Sequence, residues 1–206
     1  DYLMKISHVI RGDDHMSNTP RQILLQKALG LPTPFYAHIP MILAKDKSKL
    51  SKRHGAVSVR DFQRMGVLPE ALVNYLSLLG WSAPDPGKEI YTIEELIQFF
   101  SLERVSKSPA IFDEEKLRWM NGKYVRKMPP QDLAEAAFPF FETQGLLKKE
   151  DIQDRWSWFV ELMKEMADSV DLLSQLPDTC ALFFVKNVPI FDEDTKKLLS
   201  SEKVKN

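Results

Sequence analysis

The chain has 206 residues, 44% of them hydrophobic and 28% charged, with a net charge of −1 at pH 7. That is enough apolar material for one large domain or two small ones, and too even a charge for a generally basic nucleic-acid coat, so any RNA contact must come from local patches. The single cysteine, Cys180, excludes a disulfide framework and a cysteine-rich zinc site. The sequence has no apolar run of bilayer length and no recognisable signal peptide, so a soluble intracellular protein with no membrane partner is expected.

Residues 3–10 are apolar and β-compatible and end at Arg11-Gly12. With a strand predicted so close to a first residue that is not methionine, the chain is expected to be a piece of a longer protein. Thr19 suits a helix N-cap and Pro20 the first helical position. The helix is predicted to reach Leu29, with Gly30 just beyond it, and to bury Ile23, Leu24, Leu25 and Ala28. Residues 31–34 turn into a buried strand predicted over 35–43. Strand, helix, strand is a βαβ unit with parallel pairing and a right-handed crossover.

Residues 45–55 follow, and five of the nine from Lys45 to Arg53 are basic: Lys45, Lys47, Lys49, Lys52 and Arg53. Like charges so dense favour a solvated loop, and Ser48, Ser51 and Gly55 add turn chemistry. A basic loop leaving the carboxyl end of a strand is where an open α/β sheet receives anionic ligands.

From Ser58 the pattern turns helical. Ser58 caps a short helix ending at Met65, with Gly66 as its stop. Pro69 opens a helix whose apolar side is Leu72, Tyr75, Leu76 and Leu79. Residues 81–88 form a Pro/Gly-rich loop, and Thr92 with Glu95 forms a capping box ahead of Leu96, Ile97, Phe99 and Phe100. Residues 105–110 are a loop leading to Phe112. Asp113 caps a helix carrying Leu117, Trp119 and Met120, with Asn121-Gly122 as its stop. Met128-Pro129-Pro130 marks a domain boundary. Beyond it, helices are predicted near 131–144, 151–166, 168–175 and 178–186, the first kinked or broken at Pro139, and an amphipathic helix over 192–206. Trp156, Phe159, Val160, Leu162 and Met163 form the apolar face of the second. Cys180 reads as a buried small hydrophobe.

Lys49-Leu50-Ser51-Lys52-Arg53 resembles the Lys-Met-Ser-Lys-Ser loop of class I aminoacyl-tRNA synthetases in its glutamyl form. Residues 6–22, with Arg11-Gly12-Asp13-Asp14-His15 and Asn18-Thr19-Pro20-Arg21-Gln22, resemble the second half of a glutamyl-tRNA synthetase catalytic domain. Gly55-Ala56-Val57-Ser58-Val59, Leu68-Pro69-Glu70-Ala71-Leu72 and Val105-Ser106-Lys107-Ser108-Pro109-Ala110 continue the likeness in order. The likeness is dense over residues 1–125 and fades into a loosely similar helical region.

The resemblance implies a mostly α chain with a small parallel α/β remnant. Residues 1–57 would be the second part of a Rossmann catalytic domain, 58–128 a helical stem-contact region, and 129–206 the start of an anticodon-binding region. It implies ATP with Mg²⁺, L-glutamate and tRNA(Glu) as substrates, with tRNA(Gln) open as a second, in a cytoplasmic and monomeric full-length ligase without a zinc site in this portion. Lys52 and Lys49 would be catalytic. Ser51, Arg53 and the backbone near Ile42 would join them at ATP, and Arg11 would bind glutamate. On residue chemistry alone Arg11 could instead form a salt bridge to Asp13 or Asp14. Asp14 and His15 fall beside the pocket, but their pairing departs from the usual Glu-Glu-His or Glu-Glu-Trp. Lys107, Lys116, Arg118, Lys123, Arg126 and Lys127 are candidate tRNA phosphate contacts. The partner motif of this class, His-Ile-Gly-His, is absent from the chain, and Ala37-His38-Ile39-Pro40 does not replace it. The isolated chain is therefore expected not to activate glutamate, and its sheet edge to favour self-association. The alternatives are a glutaminyl-type or glutamyl-queuosine relative, a non-catalytic tRNA-binding module, and a helical scaffold with an inert loop.

Overall fold

The computed structural model describes residues 1–184 apart from Lys52, His54, Ala56 and Val57, with Lys149 and Asp151 described by backbone alone. The helix predicted over 192–206 lies outside the described residues. The described chain is mostly helical with four short strands, and it divides into two units, one of Asp1–Met128 with Asp171–Leu173, the other of Pro129–Val170 with Ser174 onward.

The first unit opens on a parallel pair. Strand β1 (His8–Gly12) lies beside β2 (Phe35–Ile39), with His8 opposite Phe35 and Arg11 opposite His38. Parallel strands need a crossover, and helix α1 (Thr19–Ala28) supplies it. Three expectations are corrected here. Residues 2–5 form a turn with Lys5 left-handed at φ 52°, so the strand starts at His8 and not at residue 3. Asn18 is the N-cap, and Thr19 is the first helical residue because its hydroxyl bonds Arg11 and His38 instead of the helix amides. Leu24 and Leu25 are 67% and 61% exposed, since a two-stranded sheet is too narrow to bury a full helical face.

The strand predicted over 35–43 is broken at Pro40, which has no N–H to give a ladder. Its end is a separate strand, β3 (Ile42–Leu43), paired in parallel with β4 (Ala110–Ile111) from the segment read as a loop.

Helix α2 (Val59–Met65) has the Ser58 cap, closed reciprocally by Asp61, and stops at Gly66 with φ 80°. Helix α3 (Pro69–Leu78) buries Ala71, Leu72, Asn74 and Tyr75, whereas Leu76 is 43% exposed. Helix α4 (Ile93–Phe99) starts with the Thr92–Glu95 capping box and buries only Leu96. Helix α5 (Glu114–Val125), capped by Asp113, runs straight through Asn121-Gly122. Asn121 is no stop because its amide is a fully buried tie: Oδ1 accepts from the Leu68 amide at 2.8 Å, and Nδ2 donates to the carbonyls of Gly66 at 3.2 Å and Asp171 at 2.6 Å. Phe62, Leu72, Tyr75, Phe112, Leu117 and Met120 form the core around it.

In the second unit, α6 (Pro130–Thr143) is continuous through Pro139. The proline leaves the Glu135 carbonyl without its helical donor, but both residues are exposed, so water can serve that carbonyl, while Leu133, Ala134, Ala137 and Phe141 anchor the opposite face. After the short α7 (Lys149–Ile152), α8 (Trp156–Met166) buries Phe159, Leu162 and Met163. Phe159 meets Phe138 and Phe141 edge-on, with centroids 6.1 and 5.1 Å apart. The short α9 (Leu176–Thr179) is followed by Cys180, fully buried as expected. No described helix is long and apolar enough to cross a membrane.

Candidate active site

Parallel pairing puts Arg11 and His38 side by side at the carboxyl ends of β1 and β2. Arg11 Nη2 donates to Thr19 Oγ1 at 2.8 Å and Gln22 Oε1 at 2.7 Å, and Nε donates to His38 Nε2 at 3.4 Å. Its guanidinium also lies 5.3 Å from the centre of the Tyr36 ring. None of these acceptors is a carboxylate. Arg11 forms no ion pair among the described residues, so the salt bridge to Asp13 or Asp14 is not what holds it. The result is a fixed cation whose charge no carboxylate has neutralised, the state in which a guanidinium grips an incoming carboxylate.

Asp14 turns the other way. Its carboxylate pairs with Lys49 Nζ at 3.1 Å across the mouth of the crevice. The hydrogen bond from Lys49 holds the Asp14 carboxyl below its usual value. A Cβ on Gly12 would meet Asp14 Oδ1 at 2.6 Å, so the glycine is what lets this carboxylate fold back over the strand end.

The basic loop is more ordered than its charge suggests. Asp46 Oδ1 accepts from the amide and hydroxyl of Ser48 at 2.9 and 2.6 Å. Lys47 is left-handed at φ 63°, and the Ala44 amide donates to the Ser48 carbonyl at 2.9 Å. This tight turn sends the chain back along β3, where Lys49 bridges Leu43, and half-buried Leu50 packs on the core. Lys45 faces the start of α5, 3.6 Å from Glu115 and 3.9 Å from Asp113. Arg53 donates to Ser48 Oγ at 3.3 Å. Lys52 lies outside the described residues. Ile42 is in β3, one residue before the strand meets the turn.

The structure thus brings Asp14 and Lys49 together and holds Arg11 on Thr19, Gln22 and His38. A cavity of about 390 Å³ nearby is lined by Asp13, His38 and Lys107, among others. The other candidate RNA contacts are differently placed. Lys116 pairs with Glu89 at 2.5 Å, Arg118 with Glu114 at 2.7 Å and Arg126 with Asp171 at 2.9 Å, while Lys123 sits 5.6 Å over the Trp119 ring. Sequence reasoning missed Thr19, Gln22 and His38 as the residues that aim Arg11. Their signal was the βαβ register, which places His38 opposite Arg11. No cluster of metal-ligating side chains occurs among the described residues.

An arginine at a parallel strand end and, three residues on, an aspartate paired with a lysine of the basic loop make up the candidate site. Residues 1–119 match the family described as tRNA synthetases class I (E and Q), catalytic domain, and the chain belongs to that family. Among its relatives, the glutamate–tRNA ligase of Aquifex aeolicus is 52% identical over 194 residues, which are 94% of this chain and 40% of the relative. That of Carboxydothermus hydrogenoformans is 46% identical over 206 residues, the whole of this chain and 42% of the relative. A crystal structure of a glutamate tRNA ligase from Elizabethkingia meningosepticum in complex with its amino acid superposes with a TM-score of 0.74 at 28% identity, over 97% of this chain and 42% of that one. The chain therefore spans about two-fifths of the length of these relatives.

Proposed function

We propose that this chain is part of a glutamate–tRNA ligase. The full-length protein joins the glutamate carboxylate to the α-phosphate of ATP with loss of pyrophosphate, then transfers the glutamyl group to the terminal ribose of tRNA(Glu) with release of AMP. The observation that carries the reading is Arg11, held by neutral acceptors with its charge free for a substrate carboxylate. Negative charge grows on the departing phosphates, and the loop meets it with lysines. Lys49 is at hand once it leaves Asp14, Lys52 is the principal phosphate contact, and Ser51, Arg53 and the Ile42 backbone complete the ATP side. Mg²⁺ arrives with ATP as part of the substrate.

In this reading residues 1–57 belong to the catalytic domain, 58–128 to the stem-contact region and 129–206 to the anticodon-binding region of a cytoplasmic, monomeric enzyme. The acidic partners of Lys116, Arg118 and Arg126 weigh against a module that binds tRNA through α5 alone. The His-Ile-Gly-His motif is absent from these 206 residues, so the isolated chain carries out no exchange of its own.

The test is ATP–pyrophosphate exchange by the full-length protein. Arg11→Lys keeps a positive charge but loses the planar fork, and is expected to raise the KM for glutamate by about tenfold or more with little change for ATP. An unchanged KM for glutamate would remove Arg11 from the site. Charging of tRNA(Glu) and tRNA(Gln) side by side decides whether the second is a substrate.

A further inference from the structure

A guanidinium donates hydrogen bonds and accepts none, so Arg11 fixes the direction of every bond it makes. Nη2 gives one hydrogen to Thr19 Oγ1 at 2.8 Å and one to Gln22 Oε1 at 2.7 Å, and Nε points at His38 Nε2 at 3.4 Å. Nη1 has no partner among the described residues, so it is the end left for a ligand.

Thr19 is buried, and its hydroxyl, having accepted from Arg11, has one proton to give. Two acceptors are in reach, His38 Nε2 at 2.9 Å and the His15 carbonyl at 3.4 Å. The nearer choice makes two donors, the Thr19 hydroxyl and Arg11 Nε–H, converge on His38 Nε2, which must then offer them a lone pair. A neutral imidazole with a lone pair on Nε2 carries its proton on Nδ1. The rival arrangement, with the proton on Nε2, sets that N–H against Arg11 Nε–H and leaves the Thr19 proton only the longer contact. The ring is held for this choice: His38 lies opposite Arg11 in the β1–β2 register and parallel to the Tyr36 ring, at 6.4 Å and 6°.

We propose that His38, neutral and with its proton on Nδ1, is a positioning residue: it takes the Thr19 proton and backs Arg11 Nε, and so leaves Nη1 for the substrate carboxylate. Without that acceptor the Thr19 hydroxyl can rotate, and the firm hold on Arg11 falls to Gln22, which is exposed. The kinetic half of the test rests on the ligase reading, and the spectroscopic half does not.

The spectroscopic half is the ring ¹⁵N–¹H correlation of the labelled 206-residue chain at pH 8, which has four histidines. His38→Gln assigns the His38 ring by its loss. The Nδ1–H form is expected, although free imidazole side chains in water favour Nε2–H. The kinetic half is ATP–pyrophosphate exchange by the full-length protein. His38→Leu is expected to raise the KM for glutamate about fivefold, the worth of one ordinary hydrogen bond, with kcat and the KM for ATP nearly unchanged. His38→Gln, whose amide oxygen can stand where Nε2 stood, is expected to recover most of the loss. Should His38→Leu fail to fold, Thr19→Val, which removes the hydroxyl at nearly constant shape, is expected to raise the same KM. An Nε2–H ring in the unaltered chain, an unchanged KM for glutamate in a folded His38→Leu, or a His38→Gln no better than leucine would each overturn the proposal. If the full-length protein shows no glutamate-dependent exchange at all, the ligase reading fails, and the ring spectrum alone decides the proton's place.

Discussion

Asn121→Ala is the substitution that most sharply tests how the first unit is held. The Asn121 side chain serves three backbone groups, and two of them, the Leu68 amide and the Gly66 carbonyl, belong to buried residues. Alanine leaves the Leu68 amide without a partner and out of reach of water, whereas the Gly66 carbonyl keeps the Leu173 amide at 3.2 Å. One orphaned buried group costs about 1–3 kcal/mol, so the loss should be about 2 kcal/mol, a sizeable share of the roughly 5–15 kcal/mol typical of a domain. With a urea dependence of about 2 kcal/mol per molar, the midpoint falls by about 1 M. Because the chain has two units, the readout must be local: exchange of the Leu68 amide, with urea unfolding beside it. Asn121→Leu restores volume but no partner, and is expected to fare no better. If leucine recovers most of the stability, the tie is packing and not hydrogen bonding, and the reasoning fails.

Gly122→Ala should destabilise the same helix, since an added Cβ would run into the Asp171 carboxylate and the Arg126 guanidinium; a thermal midpoint within a degree of the parent would contradict this. Burial pushes the Cys180 thiol up to about 11, so at pH 8 a disulfide reagent should react at the rate of unfolding and not on mixing. The Asp14 carboxyl titrates below the usual aspartate range because of Lys49. A depressed folded value means the contact is fully present above the unfolded value and is lost as pH falls through the folded one. In a carboxyl-detected titration Lys49→Ala should return Asp14 toward the ordinary range, and an unmoved titration would show that Lys49 is not the cause.

Features written in neighbouring residues were legible from sequence. The Ser58–Asp61 and Thr92–Glu95 boxes close within one turn, and Gly66 stops its helix through its own φ. What was not legible depends on residues far away. Asn121 next to Gly122 has the look of a helix end, and only partners 50 to 55 positions off make it a tie. Leu24 and Leu25 have helical spacing, but spacing says nothing of how wide a surface the helix must cover. In the site, Arg11 and the lysine loop stood out by residue type. Asp14 meeting Lys49, 35 positions on, did not. Nor did the turn inside the loop, where one aspartate and one serine overrule the repulsion of their basic neighbours.

The two cations of the candidate site are held by opposite means, and in the proposed reading the difference sets their roles. Arg11 rests on an amide oxygen, a hydroxyl and an imidazole nitrogen, which fix its direction without neutralising it. A carboxylate binding there adds an ion pair and displaces none. Lys49 already has a carboxylate, in a pair open to solvent with the lysine 69% and the aspartate 39% exposed. Such a pair is weak and screened by salt, so polyphosphate, with more charge and more acceptor oxygens, can take the lysine from Asp14 at little cost. In the proposed reading Lys49 would reach the phosphates by exchanging one anion for another, a step that a solvated loop permits and a buried pair would forbid. On that reading, a pre-aimed arginine for the small carboxylate and an exchangeable lysine for the phosphates would form one consistent site: orientation built in where the ligand is small, and mobility kept where charge must be followed as it moves.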